Sequence, residues 1–442
     1  MPTVPPPPPA HVPPPAPTRA EPPAGLLRDP DFRRFWSGQT ASQLGEQAAA
    51  TVLPLLAVVA LHAGPGRLGL LRAAEQAPIL LLSLLVGVWV DRRRSTRVMV
   101  LADLGRAAVL AAVPLAYLLG GLGLPLLLAL SFLTGSLSVC FDVAYQSTLV
   151  RLVPRQRLTE GNGVLEGSRS AARIAGPALG GGLVSLLGAP FAAAGCTALF
   201  ALSALAVRRV RPGGHHAADT PSPGAGGVRR QIREGLRLVV RDPVLRAVGA
   251  ASALFQFSFA ALMTVYLLFL PRTLHLSGGA VGLVLAATGP GALAGSALAA
   301  RLPSRLGLGP VLVGSAALAD GVMLGVPALH GSGPATLAAL TAVNVLFGAF
   351  GQLVDVTTTA IRQAATPVRF QGRVVATLNV AGIGMGPFGS LLGGALAAYC
   401  GPRTALLVTA AALVLSPLYM ACSPLARLGR PAPAHRAERR LP

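Results

Sequence analysis

"RDPDFRRF" runs from Arg28 to Phe35 and "RDPVLRAV" from Arg241 to Val248, so Arg-Asp-Pro recurs 213 residues on, each time just before a long apolar run. The offset persists downstream. Gln43 pairs with Gln256, Gly69 with Gly282, Val113-Pro114 with Val326-Pro327, Gly135 with Gly348, Asp142 with Asp355 and Pro154 with Pro367. Glycine matches carry little weight in a chain with 52 glycines, but the Asp, Gln and Pro matches do. The chain therefore reads as one unit written twice. Arg-Asp-Pro marks the start of the first helix in each copy, with Pro near the first turn, Asp at the positive end of the helix dipole and Arg at the lipid headgroups.

Composition says what kind of unit this is. Of 442 residues 52% are hydrophobic and only 12% charged, where a soluble domain carries about 25% charged residues. A membrane helix needs about 20 mostly apolar residues. Twelve segments between residues 36 and 424 satisfy that, six in each copy. They are rich in Ala, Leu and Gly, and far longer than the roughly 10 residues of a barrel strand. The expected fold is an all-α integral membrane protein of twelve transmembrane helices, arranged as two six-helix repeats.

All 37 basic residues are arginine, and the net charge is +21. They gather in short clusters between the apolar runs, such as "DRRRSTR" (91–97), "RLVPRQR" (151–157) and the terminal "HRAERR". Only Arg67, Arg72, Arg272 and Arg403 fall on the other side of the spans. The positive-inside rule then places both termini in the cytoplasm, and the scatter of charge argues against nucleic acid as a partner. The expected organisation is a Pro-rich cytoplasmic tail (1–27), a six-helix bundle (28–208), a cytoplasmic linker (209–240), a second six-helix bundle (241–425) and a basic tail (426–442). The first tail holds twelve prolines and no apolar stretch, so it reads as polyproline II without fixed structure, either a recognition segment or dispensable. Four widely spaced cysteines give neither a metal site nor a disulfide framework. With no nucleophile elbow and no phosphate loop, an enzyme is not expected, and there is no catalytic residue to name.

Several motifs resemble those of the major facilitator superfamily, over nearly everything from Arg28 to about Leu425. "GVWVDRRRSTR" is similar to the family's motif A: Gly87, Asp91 and Arg92 match, while Arg94 replaces a usual glycine and Ser95 a usual basic residue, so Arg94 or Arg97 stands in. "AGPALGG" resembles motif C through Gly176, Pro177, Gly180 and Gly181, and "GPFGSLLGG" in helix 11 repeats the idea with Gly386 and Pro387. "FWSGQTASQLGEQ", "FDVAYQSTLVRLVP" and "IRQAATPVRFQGRV" look like the branch containing enterobactin and macrolide exporters. The resemblance implies a secondary-active exporter in the cell (inner or plasma) membrane. It would carry an amphipathic small molecule (a drug, siderophore or secondary metabolite) by proton antiport and alternating access. The proton gradient supplies the energy, with no cofactor or metal, and the monomer suffices. An importer or lipid transporter on the same fold, or a non-transporting membrane sensor or scaffold, are the alternatives.

The resemblance also implies a cytoplasmic latch. Asp91 faces the N-terminus of helix 11, Asp142 sits inside helix 4, and an arginine bridges them; a merely solvated charge cluster is the other reading. Asp355 would complete the latch of the second copy with Arg362 or Arg369. The motif C glycines serve close helix packing or, alternatively, a gating hinge.

Glu46 is the candidate for the mechanism. It falls near the middle of helix 1, with Gln39, Gln43 and Gln47 within one or two turns. A charge at that depth is costly in lipid, so Glu46 is expected to face the central cavity and to gain and lose protons there. The alternative is a hydrogen-bonded polar anchor. Its counterpart in the second copy is Phe259, so proton chemistry belongs to the first copy. Gln39 and Gln43 of helix 1, with Phe255, Gln256, Phe259 and Tyr266 of helix 7, are expected to line a substrate cavity. Asp320, in helix 9, is a possible second proton site. Asp103–Arg106 and Arg72–Glu75, each three residues apart, read as internal ion pairs.

Overall fold

The structure, a computed structural model, describes residues 26–91, 93–210, 236–366 and 371–429; its regular structure is entirely helical, with no strand among these residues. The first half comprises α1 (Pro30–Leu55, prolonged by a π-helical turn Leu56–Ala60), α2 (Pro65–Asp91), α3 (Ser95–Leu118), α4 (Leu124–Leu152), α5 (Leu158–Leu187) and α6 (Ala189–Arg208). The second comprises α7 (Pro243–Arg272), α8 (Gly278–Ala299), α9 (Leu308–Val322), α10 (Pro334–Ala365), α11 (Gln371–Ile383) and α12 (Gly386–Cys422). Ten stretches are long and apolar enough to cross a membrane. The last of them, Val380–Cys422, is two spans in one, because Gly401 inside it adopts φ 80° and turns the chain back. The 27-residue α2 matches the others in length.

Arg-Asp-Pro does the same local job in both halves. Asp29 caps α1 by accepting from the backbone N–H groups of Asp31 and Phe32, and Asp242 caps α7 by accepting from those of Val244 and Leu245. Proline follows each cap, at the position where its missing N–H costs nothing. The far ends repeat too. Ala63 N–H reaches the Ala57 carbonyl at 2.8 Å, and Leu276 N–H reaches that of Leu270 at 3.1 Å. Between them sit His62 (φ 49°) and His275 (φ 57°), the two non-glycine residues with positive φ among those described, again 213 apart. Left-handed residues close helices in this way, although glycine usually fills the role.

Packing follows the repeat. In the first half α1 lies against α5 and α6, α2 against α4, and α3 against α4 and α6; in the second α7 lies against α11 and α12, α8 against α10, and α9 against α10 and α12. Gly135 of α4 abuts the Glu75 carbonyl of α2, as Gly348 of α10 abuts that of Thr288 in α8.

Among the described residues the halves touch mainly through α5 on α8 and α2 on α12, two crossings with the same construction. A Cβ on Gly282 would stand 2.9 Å from the Gly181 Cα, and one on Gly69 would stand 2.9 Å from the Gly394 Cα. Only a bare backbone allows that approach. Arg272 adds a bond to the Val58 carbonyl at 3.4 Å, and Gln76 of α2 donates to Ser390 Oγ of α12 at 3.0 Å. All these contacts lie between mid-helix and the end remote from Arg28 and Arg241. The halves are therefore joined at that end; the end carrying the arginine clusters is called the basic end below.

Candidate functional site

The motif C glycines pack, and they do so on two sides of one helix. Gly176 and Gly180 receive Gln47 and Ala48 of α1, while Gly181 faces α8 of the other half. The counterpart in the second half is Gly389, Gly393 and Gly394, the first two seated on Phe257 and Ala261 of α7. Gly386–Pro387, singled out from the sequence as the repeat of Gly176–Pro177, packs across the halves instead, where a Cβ on Gly386 would stand 2.3 Å from Gln76 Oε1 of α2. At the offset of 213, the partners of Gly176 and Pro177 are Gly389 and Ser390.

A polar cluster fills the first half at mid-depth. Arg106 of α3 is fully buried, its guanidinium held between the rings of Phe141 and Phe200 at 4.5 and 4.4 Å. It pairs with buried Asp103 one turn away and donates to Ser42 Oγ at 2.8 Å and Ser138 Oγ at 3.2 Å. Asp103 in turn accepts from Ser42 and Ser203. Glu46 lies one turn beyond Ser42 on α1, and its carboxylate stands 3.7 Å from the same guanidinium. Its side chain is 31% exposed where that of Arg106 is 0%. Glu46 thus lies between the sealed cluster and open space. Asp142, Arg169 and Glu75 are the other charged groups around it.

The repeat has no second copy of this cluster. Ser42, Glu46, Asp103 and Arg106 correspond to Phe255, Phe259, Ala316 and Ala319. Phe255, Phe259 and Phe347 form a stack with centroid separations of 5.4 and 5.7 Å, and all three are half-buried. Where the first half sets an ionic group, the second sets an aromatic shelf. Phe347, Ser42, Ser203, Phe141 and Phe200 did not stand out in the sequence, although the offset that pairs Ser42 with Phe255 could have flagged Ser42.

Other expected cavity residues are placed differently. Gln256 is half-buried, whereas Gln39, Gln43 and Tyr266 are buried, and the Gln39 Oε1 has no hydrogen-bond partner among the described residues. Tyr266 was expected in the cavity but lies inside the joined end, its hydroxyl accepting from Asn344 Nδ2 at 2.8 Å. Closure of the halves at that depth removes it from open space. Asp320 of α9 is 2% exposed, with no hydrogen bond or ion pair among the described residues.

Among the described residues no latch pair is formed, and much of the latch falls outside them. Gly87 is half-buried near the end of α2, the Asp91 side chain and Arg92 lie outside the described residues, and Arg94 and Arg97 are exposed. Asp142 keeps Oδ1 buried without a partner, and its charged neighbours are Arg169 and Arg106 rather than Arg94 or Arg97. Asp355 is exposed and unpaired among the described residues, and Arg369 lies outside them. Gly87, Arg94 and Arg97 sit at the basic end, away from where the halves join, whereas Asp142 lies deeper, beside the Glu46 cluster. Of the pairs read from spacing, Arg72–Glu75 closes at 3.0 Å and Arg106–Asp103 also forms.

Known proteins fit this geometry. The sequence signature of the transmembrane secretion effector family matches residues 22–437. An uncharacterised MFS-type transporter of Sinorhizobium fredii is 28% identical over 356 residues, covering 78% of this chain and 84% of that protein. The multidrug efflux pump Tap of Mycolicibacterium fortuitum is 28% identical over 352 residues, covering 77% and 83%. Among solved structures, a bacterial homologue of the iron transporter ferroportin in an inward-facing state superposes with a TM-score of 0.72 at 16% identity, over 90% of this chain and 98% of that one. A bacterial homologue of the human lysosomal transporter Spinster, inward-facing and unoccupied, gives 0.70 at 14% identity, over 92% and 99%. The chain is a multi-pass membrane transporter and belongs to the transmembrane secretion effector family of the major facilitator superfamily.

Proposed function

We propose that this transporter exports an amphipathic small molecule in exchange for protons, with Glu46 as the group that carries the proton. The carrying observation is the pairing of a half-open Glu46 with a sealed Arg106, set against the aromatic stack at the equivalent positions of the second half. A proton on Glu46 cancels its attraction to Arg106, and loss of the proton restores it. The apolar part of a cargo lies on Phe255, Phe259 and Phe347, opposite that switch. The carrier works only if the protonated and deprotonated states differ in affinity for cargo. In the state described, the halves are joined away from the basic end; placing the basic end in the cytoplasm makes this the inward-open state, and rocking about the two glycine crossings gives the other.

The test uses inverted membrane vesicles energised to an acid interior and challenged with a panel of amphipathic drugs and siderophores. Wild type is expected to collapse the pH gradient on adding at least one compound, and Glu46→Gln to stay silent with the same compound. If both respond alike, Glu46 is a polar anchor and Asp320 becomes the proton site to test. If wild type transports a compound with no proton movement, antiport is wrong.

A further inference from the structure

A cavity of about 360 Å³ opens at the basic end, between the start of α3 and the end of α4. Arg94, Ser95 and Thr96 line it from α3, and Thr148 and Arg151 line it from α4, with Leu152 and Val210 closing it on the apolar side. This is a different place from the Glu46 cluster, and among the described residues that line it Arg94 alone also belongs to the latch set read from motif A.

Its chemistry is that of an anion site. Helix α3 starts at Arg94, whose side chain makes no capping bond. The first N–H groups to reach the Arg94 carbonyl are those of Arg97 and Val98. The N–H groups of Ser95 and Thr96 therefore have no backbone acceptor among the described residues, at the positive end of a 24-residue helix dipole. A second feature is independent of the helix end. Ser95 is only 4% exposed, lines the cavity, and its hydroxyl has no hydrogen-bond partner among the described residues. The hydroxyl of so enclosed a residue is normally satisfied, and among the described residues this one has no acceptor. Arg94 and Arg151 are both exposed, and neither forms an ion pair with a described carboxylate. Two guanidinium groups, two backbone donors and a hydroxyl, none with an acceptor among the described residues, suit the two non-bridging oxygens of a phosphodiester.

The volume exceeds what phosphate alone requires, since one water takes about 30 Å³ of liquid. Next to the cavity, Leu101 of α3 and Val150 of α4 are 64% and 53% exposed, an apolar face suited to lipid chains. Basic pockets between helices on the cytoplasmic side are placed to take lipid headgroups, and the positive-inside rule puts this end there. We propose that the cavity holds the phosphate of an anionic phospholipid headgroup from the adjacent leaflet. The site is independent of cargo and of proton coupling.

The test measures binding of phosphatidylglycerol, phosphatidylcholine and inorganic phosphate to the purified full chain in detergent, by native mass spectrometry and by thermal shift. Phosphatidylglycerol is expected to bind wild type and raise its melting temperature. Arg94→Gln/Arg151→Gln should bind it about 30-fold more weakly, because each arginine near an anionic lipid contributes about one unit of interaction of fivefold. Arg301→Gln/Arg305→Gln, which removes two exposed arginines of the second half outside the cavity, should bind like wild type. Ser95→Val, filling the cavity without changing charge, should also weaken binding, and its unliganded melting temperature shows whether it folds. Equal losses in both arginine pairs would mean a diffuse surface attraction and overturn the site. Binding of inorganic phosphate alone, or of phosphatidylcholine as tightly as phosphatidylglycerol, would overturn the anionic lipid as the occupant.

Discussion

Arg106→Ala is expected to be the most damaging single substitution in the first half, lowering its stability by about 3–5 kcal/mol. The cost does not come from losing a favourable bond alone. Asp103 is 0% exposed, and without Arg106 its charge is left buried with only Ser42 and Ser203 to hold it. The rings of Phe141 and Phe200 also lose the flat cation between them, and lysine is a poor substitute because it has no plane to stack. A fall of about 10 °C in melting temperature is expected, at roughly 2–4 °C per kcal/mol. The diagnostic is the double variant Asp103→Ala/Arg106→Ala, which removes both charges together and should recover most of the loss. If the double variant is as unstable as the single, the cluster contributes through packing and not through charge.

The second large effect is at the joined end. Gly181→Leu places a side chain where a Cβ would already be 2.6 Å from the Gly282 Cα. Overpacking of this kind costs about 1–3 kcal/mol, and here the cost falls only on the conformation in which α5 and α8 touch. The population should shift toward separated halves by roughly 5- to 140-fold, at 1.4 kcal/mol per factor of ten. Spin labels at Arg67→Cys and His275→Cys, in a background without the four native cysteines, report the separation. Gly182→Leu is the control, since a Cβ at that neighbouring glycine meets nothing within 4 Å. The longer distance should grow in Gly181→Leu and not in Gly182→Leu. Equal responses would mean that the crossing does not set the balance between states.

Much of this architecture was legible because duplication makes a sequence its own comparison. Offset 213 found Asp29 and Asp242, which became matching caps, and it paired Glu46 with Phe259, which became the contrast between switch and shelf. Hydropathy found the spans, since lipid demands unbroken apolar length. Spacing found Asp103–Arg106, because residues three apart on a helix are neighbours whatever surrounds them. It did not find that Arg106 also serves Glu46, a contact between α1 and α3 that no local pattern encodes. Tyr266 failed as a cavity residue for a different reason: whether a residue is open depends on which end of the bundle is closed, and that is a property of a state. Gly386 is a packing glycine as read, against Gln76 of α2, but the register of the repeat belongs to Gly389 and Gly393, which keep both the offset and the contacts with α7.

The central claim is that Glu46 joins proton movement to cargo movement without being needed to bind cargo. Proteoliposomes containing wild type or Glu46→Gln, tested with the compound that gives the strongest proton release from wild type, separate the two. One assay follows uptake driven by a pH gradient, and the other follows exchange of labelled for unlabelled compound with no gradient. The account predicts that Glu46→Gln loses driven uptake and keeps exchange. Driven uptake at the wild-type rate in Glu46→Gln would contradict it.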